Sequence, residues 1–197
     1  MVSLGLGITA FALYLIYDIN SFCWQRKIPR TFFMMGTVLL AAAMLLDLHA
    51  AWKAQAFRLL PDAIPLALSA VSFAALIYSL FFALPFDKTY TQQQNGRKVY
   101  DQGVYALCRH PGILCFFAMY LMLGLAALPY PGLLLRGMLF SFLNLAYAWF
   151  QDRITFPKTF SNYPDYQKGT PFLIPTKASI HSAFRTFLHK AEEEDQP

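Results

Sequence analysis

The chain has 197 residues, of which 57% are hydrophobic and only 14% are charged. Ordinary soluble domains are about 45–50% apolar and about 25% charged, so this composition excludes a soluble globular protein. The formal net charge of +5 is explained by contact with anionic lipid headgroups, and we expect no nucleic-acid partner. The apolar residues occur in long blocks, which favours membrane spans over a single soluble core.

Five apolar blocks predict five transmembrane helices, because each is near the roughly 20 residues that a helix needs to cross a bilayer. The first block lacks the basic region and the small-residue cleavage site of a signal peptide, so we interpret it as a span. The prolines and glycine of the segment 128–132 predict a tight hairpin between the last two spans. We expect an all-α integral membrane domain over residues 1–175, folded as one bundle. Its predicted spans are 2–17, 32–46, 64–84, 112–128 and 133–150.

The segment 176–197 is predicted to be an amphipathic helix on the membrane surface, followed by an acidic tail. Its apolar residues recur at helical spacing, with Arg185 and Lys190 near the polar side. These apolar residues are Ile180, Ala183, Phe184, Phe187 and Leu188.

The distribution of Lys and Arg predicts the orientation, because basic residues of short loops stay on the cytoplasmic side. With five spans, Lys53, Arg58 and Arg136 fall on one side and the other 13 Lys and Arg residues fall on the opposite side. We therefore expect a multi-pass protein with the amino terminus outside and the carboxyl terminus in the cytoplasm. The cytoplasmic set is Arg26, Lys27, Arg30, Lys88, Arg97, Lys98, Arg109, Arg153, Lys158, Lys168, Lys177, Arg185 and Lys190.

The cysteines and histidines do not predict a metal site, because none of them pair at a metal-ligand spacing. We interpret Cys23, Cys108 and Cys115 as small apolar residues, since disulfides are not expected on the cytoplasmic side or within a membrane helix.

The two cytoplasmic ends of the terminal hairpin predict a site made of sequence-distant residues. A hairpin returns to its starting side, so the segment 109–111 is expected to face the segment 151–153. Pro111 suits the first turn of a helix, and the N–H groups there, together with Arg109, can hold a carboxylate or phosphate. The alternative for Arg109 and His110 is simple anchoring at the headgroups. The alternative for Asp152 and Arg153 is a helix that has reached water.

Two ordered motifs resemble a known group of proteins. Gly103, Tyr105, Arg109, His110 and Pro111 match the pattern Gly-x-Tyr-x-x-x-Arg-His-Pro. The later residues Phe160, Tyr163, Tyr166, Pro171, Ile174 and Pro175 match a closing pattern of aromatics and a terminal Ile-Pro. Together, over residues 96–175, the chain resembles the integral membrane methyltransferases that include isoprenylcysteine carboxyl methyltransferase and the phospholipid N-methyltransferases. It departs from their pattern at Gln151, where a glutamate is usual, at Ile113, where a tyrosine is usual, and at Ser161, where a glycine is usual.

The resemblance implies S-adenosylmethionine as cofactor and a lipophilic or lipid-linked acceptor, a carboxyl or an amine, that enters from the bilayer. It implies that His110 and Arg109 at the helix start bind the methionine carboxylate, with Gly103, Tyr105 and Pro111 beside the cofactor. Gln151 and Asp152 stand at the positions where the family's glutamate pair holds the ammonium group of the cofactor. Asp152 and Arg153 are the catalytic candidates that the resemblance implies.

Two alternatives remain open at this stage. One is a non-catalytic membrane protein that keeps the architecture, and the other is a relative of the NADPH-dependent sterol reductases.

Overall fold

The computed structural model describes residues 1–58, 61–83 and 98–194. Leu84, Lys88 and Arg97, which the predictions above include, lie outside the described residues, as does the end of the tail at 195–197. For residues 188–194 the helical backbone is described without the side chains. The described residues are helical or irregular and contain no strand, which confirms the predicted all-α class.

The helices are numbered here in chain order. Three of them continue into a short π-helical turn, at Asn20–Trp24, Tyr78–Phe82 and Gln151–Thr155, and a 3₁₀ turn at Ile28–Thr31 precedes the second. The helices are α1 Val2–Ile19, α2 Phe32–Lys53, α3 Ala63–Ile77, α4 Val104–Leu107, α5 Pro111–Ala126, α6 Pro131–Phe150, α7 Phe156–Thr159, α8 Tyr163–Gly169 and α9 Lys177–Glu194.

Four continuous helical segments are long and apolar enough to cross a membrane. They are Val2–Trp24, Pro29–Lys53, Ala63–Phe82 and Pro131–Thr159. The helix α5 is equally apolar but has 16 residues, so it is a shorter fifth candidate. The chain is therefore a multi-pass, all-α membrane protein.

The helix α2 continues past residue 46, where the predicted span ends, through Asp47 to Lys53. The side chain of Asp47 is buried, and it pairs with Arg136 of α6 at 2.8 Å. A paired carboxylate does not need to end a membrane helix.

The described chain divides into two compact units, which are described separately. Unit 1 comprises Met1–Phe73 and Phe116–Thr155, and unit 2 comprises Ala74–Cys115 and Phe156–Pro197.

Unit 1 is held together by small residues that let its helices approach closely, as is usual where hydrophobic burial gives little drive for association. A Cβ added at Gly124 of α5 would lie only 2.8 Å from the backbone Cα of Leu134 in α6, so the predicted hairpin depends on this glycine. Ser69 of α3 donates a hydrogen bond to the carbonyl of Met119 in α5, at 3.0 Å.

Asp47 and Arg136 form a charged contact within unit 1. Arg136 Nε donates to Asp47 Oδ1, and the same guanidinium donates through Nη2 to the hydroxyl of Tyr130, at 2.9 Å. The guanidinium also lies over the Tyr130 ring, 5.5 Å from its centroid. These contacts tie α2 to the start of α6.

In unit 2, α9 packs on α4, so the predicted carboxyl-terminal helix is confirmed. Ser179 and Ala183 of α9 are buried, while Ile180 and Phe184 are exposed. The helix runs to Glu194, so it includes part of the predicted acidic tail. Its location on a membrane surface remains a prediction.

Removing one partner of the Asp47–Arg136 pair is expected to destabilise the protein strongly. Arg136→Met leaves an uncompensated buried carboxylate, which costs about 3–5 kcal/mol. The double variant Asp47→Leu/Arg136→Met removes both charges and is expected to recover most of that loss. Equilibrium unfolding in mixed micelles, followed by tryptophan fluorescence, measures both changes.

The matched control is Lys168→Met, which breaks the exposed pair between Lys168 and Asp165. It is expected to change the free energy of unfolding by less than about 1 kcal/mol. Equal effects of Arg136→Met and Lys168→Met would contradict the assignment.

Candidate functional site

The predicted site residues fall in both units. Gly103, Tyr105, Arg109, His110 and Pro111 belong to unit 2, whereas Gln151, Asp152 and Arg153 belong to unit 1. The two sets are therefore described one after the other.

Gly103 begins the first motif with a backbone conformation that disfavours any other residue. Its φ is 60° and its ψ is −129°, and it lies immediately before α4. Its N–H donates to the hydroxyl of Thr186 in α9, at 2.9 Å, and that hydroxyl donates to the carbonyl of Ala183. The glycine of the motif thus lets α4 start where α9 can pack on it.

Arg109 joins the first motif to the second. Its backbone N–H donates to the carbonyl of Pro171 at 2.9 Å, and its guanidinium donates to the carbonyls of Gln167 and Thr170. The guanidinium also lies 5.7 Å from the centroid of the Phe172 ring. Arg109 therefore has a clear folding role, and its predicted contact with an anionic ligand remains a prediction.

His110 lies in an aromatic slot made by the second motif and α7. Its imidazole stacks on Phe156, with centroids 5.8 Å apart, and meets the edge of Phe172 at 4.9 Å. The backbone N–H of His110 donates to the carbonyl of Phe172, and the backbone carbonyl of His110 accepts from the N–H of Ile113 in the first turn of α5. As predicted, α5 begins at Pro111.

The tyrosines of the two motifs are brought together in unit 2. The hydroxyl of Tyr166 donates to the carbonyl of Tyr105 at 2.6 Å, and the hydroxyl of Tyr105 donates to the carbonyl of Ser79 at 2.8 Å. Tyr163 lies edge-on to Tyr166, and Tyr100 lies edge-on to Tyr105. Burial raises the pKa of Tyr166, so its hydroxyl stays protonated and acts as a donor.

In unit 1, the turn Gln151–Thr155 extends α6 as a π-helix, a geometry that is frequent at functional sites. Asp152 is 2% exposed, whereas Arg153 is exposed. The two catalytic candidates are thus in different environments. The Asp152 side chain is in the protein interior, and Arg153 can meet solvent, headgroups or a ligand.

Asp18 of α1 is the residue of this region that the sequence analysis missed. It is 3% exposed and hydrogen-bonded by the side chains of Tyr147 and Gln151, with Thr155 a third group at the same carboxylate. Gln151 Nε2 also donates to the Tyr147 hydroxyl, at 3.0 Å. A sequence signal was present, because Asp18 is a carboxylate that directly follows an uncharged apolar block.

A surface cavity of about 370 Å³ lies elsewhere in unit 1. Its lining includes Arg58, Asp62, Leu128 and Pro129, which belong to the connections between α2 and α3 and between α5 and α6. It lies at the amino-terminal end of α6, whereas Gln151 and Asp152 follow its carboxyl-terminal end. None of the predicted site residues lines this cavity.

The fold defines an all-α, multi-pass membrane protein with a buried polar cluster in unit 1 and a pair of interlocked motifs in unit 2. Comparisons with models of protein families, with curated proteins and with solved structures found no match for the chain. The resemblance to the membrane methyltransferases is therefore carried by the chain's own motifs.

Gly103→Ala is expected to destabilise unit 2, because a Cβ is strained at this positive φ by roughly 1–3 kcal/mol. The expected result is faster hydrogen exchange in α4 and α9 and a lower Tm. The control is Gly169→Ala, where an added Cβ meets no atom within 4 Å. A wild-type exchange pattern in Gly103→Ala would contradict the role given to this backbone conformation.

Cys108 is expected to resist alkylation in the folded protein. Burial raises the pKa of its thiol to about 11, and the thiolate is the reactive form. Its modification by N-ethylmaleimide is expected to be slow at pH 7.5 and to accelerate as the pH approaches 11. Peptide mass spectrometry measures the rates.

The exposed Cys23 is the internal comparison for this experiment. Denaturation before labelling is expected to make the two thiols equally reactive. Equal rates in the folded protein would show that Cys108 is accessible.

Proposed function

We propose that this chain is an integral membrane methyltransferase that transfers the methyl group of S-adenosylmethionine to a lipophilic or lipid-linked carboxyl or amine. The transfer takes place at the cytoplasmic face, with the amino terminus outside. The observation that carries the proposal is the contact between the two motifs in unit 2. Residues about 60 positions apart, Arg109 with Pro171 and His110 with Phe172, are joined by backbone hydrogen bonds.

This contact supports the proposal because it makes the resemblance a three-dimensional one. Each motif taken alone is a short pattern of common residues. Two motifs that occur in the expected order and also fold against each other are a more specific feature than either pattern.

The chain's polar groups fit the chemistry of this cofactor. The start of α5 at Pro111, with its N–H groups and partial positive charge, is suited to a carboxylate. The buried carboxylate of Asp152 is suited to an ammonium group. His110 lies just before this helix start, and we assign its imidazole to the same carboxylate. In this assignment Gly103 and Tyr105 lie beside the cofactor, and Arg153 orients an acidic acceptor or a headgroup.

The reaction proposed is a direct displacement. When bound, S-adenosylmethionine supplies a methyl group on a positively charged sulfur. A lone pair of the acceptor oxygen or nitrogen forms the new bond to the methyl carbon, and the carbon–sulfur electron pair stays on sulfur. The protein's contribution is to hold the two reactants in line, which can lower the barrier by several kcal/mol. A neutral amine acceptor also loses one proton to water.

A non-catalytic membrane protein is the second candidate, and one observation favours it. The guanidinium of Arg109 and the hydroxyls of Tyr105 and Tyr166 all donate to backbone carbonyls of unit 2. These motif residues stabilise the fold of unit 2, and that role requires no cofactor.

Binding separates the two candidates. The purified, detergent-solubilised protein is titrated with S-adenosylmethionine and, separately, with NADPH. The wild type is expected to bind the first saturably and not the second. Asp152→Ala and His110→Phe are expected to weaken that binding by roughly tenfold or more, because each removes a polar contact to a charged ligand. His110→Phe keeps the aromatic packing against Phe156 and Phe172.

Asp165→Asn is the matched control, since Asp165 is exposed and pairs only with the exposed Lys168 among the described residues. It is expected to bind S-adenosylmethionine as the wild type does. A folded wild type that binds no S-adenosylmethionine would refute the methyltransferase proposal, and saturable binding of NADPH alone would favour a reductase.

A further inference from the structure

Asp18 is a carboxylate inside the first membrane-spanning segment, Val2–Trp24. The side chain is 3% exposed, and it lies just before α1 passes into its π-helical turn. Ionisable residues at such positions are costly and commonly mark a binding or transport function. A merely structural role would require that the carboxylate be fully satisfied by its neighbours.

The neighbours of Asp18 do not satisfy it fully. The side chains at its carboxylate, Gln151, Tyr147 and Thr155, are all neutral. The oxygen Oδ2 is buried and accepts no hydrogen bond from the described residues. Within the same residues, no Lys or Arg pairs with Asp18, whereas Asp47, another buried carboxylate of a span, pairs with Arg136. Asp18 is thus a buried negative group with an open acceptor position.

Aromatic rings lie beside this carboxylate. Tyr147, which hydrogen-bonds to Asp18, stacks on Tyr14 with centroids 5.5 Å apart, and Tyr14 lies 5.3 Å from Phe33. Tyr17 also contacts Phe33, at 5.5 Å. The faces of such rings attract cations, so a carboxylate flanked by tyrosines is the usual chemistry of an ammonium site.

We infer that Asp18, together with Tyr14 and Tyr147, binds the ammonium group of a ligand. This inference rests on the proposed function for its choice of ligand. Within that function two molecules carry an ammonium, the amino-acid part of the cofactor and an amine-bearing acceptor lipid. Tyr147 and Gln151 are only half-buried, so a ligand reaches the carboxylate by displacing the Gln151 amide. An ammonium is a stronger, charge-assisted donor than that amide.

Paired ligands that differ only in the charged group test the inference. S-adenosylhomocysteine is compared with its analogue lacking the amino group, and hexylammonium is compared with hexanol, all in a neutral maltoside detergent. Binding is measured by calorimetry for the nucleosides and by thermal shift for the hexyl compounds. The variants are Asp18→Asn and, as the same substitution at an exposed site, Asp165→Asn.

In one of the two pairs, Asp18→Asn is expected to lower the affinity for the ammonium-bearing ligand by about tenfold or more. The affinity for the uncharged ligand of that pair is expected to stay the same. Loss for S-adenosylhomocysteine assigns the site to the cofactor, and loss for hexylammonium alone assigns it to the acceptor. Wild-type affinity of folded Asp18→Asn for both ammonium ligands would overturn the inference.

One further result distinguishes the ammonium site from the methyltransferase proposal. If the wild type binds hexylammonium through Asp18 but binds neither nucleoside, the methyltransferase proposal fails and the ammonium site stands.

If Asp18→Asn does not fold, Tyr14→Leu and Tyr14→Phe replace it. The leucine variant is expected to weaken hexylammonium binding severalfold, and the phenylalanine variant to retain it, because only the ring is needed. Equal binding by both would overturn the inference.

Discussion

The absence of hydrogen-bonding partners in a bilayer's hydrocarbon core is the constraint on which this structure depends. Backbone groups there must be satisfied within the segment, which explains why the spans are helices. Side chains face the same requirement, and the chain meets it in different ways. Asp47 pairs with Arg136, and Ser69 uses the carbonyl of Met119. Asp18 has neutral donors at one oxygen and none at the other among the described residues.

The two units use polar groups for different purposes. In unit 2 the motif residues mostly donate to backbone carbonyls, as Arg109 does to Gln167 and Thr170, so their chemistry builds an irregular but ordered fold outside the spans. In unit 1, Asp18 and Asp152 are buried near the end of α6, and Tyr147 and Gln151 hydrogen-bond to Asp18. An unpaired acceptor is most costly in such a buried position.

The sequence predicts those features that depend on local patterns. Apolar blocks, the hairpin prolines and Pro111 at the start of α5 each act over a few residues, so the helical segments and the start of α5 could be predicted from them. The pairing of Asp47 could not be predicted from its sequence neighbours, because its partner Arg136 lies 89 positions away. Asp18 was missed for the same reason, since its contacts are with residues 147 and 151. The folding role of Arg109 depends on residues about 60 positions further on, which a motif does not specify.

Gln151 shows how a departure from a motif depends on its surroundings. Gln151 stands where the methyltransferases that the chain resembles usually have a glutamate. In unit 1 that amide hydrogen-bonds to Asp18, so a carboxylate from α1 already occupies its neighbourhood. A glutamate at position 151 would add a second negative group against Asp18, and like charges at such close range in a buried site cannot both stay ionised. Glutamine instead supplies a donor to Asp18 and to Tyr147. Asp18 and Gln151 thus form one hydrogen-bonded cluster at this end of α6.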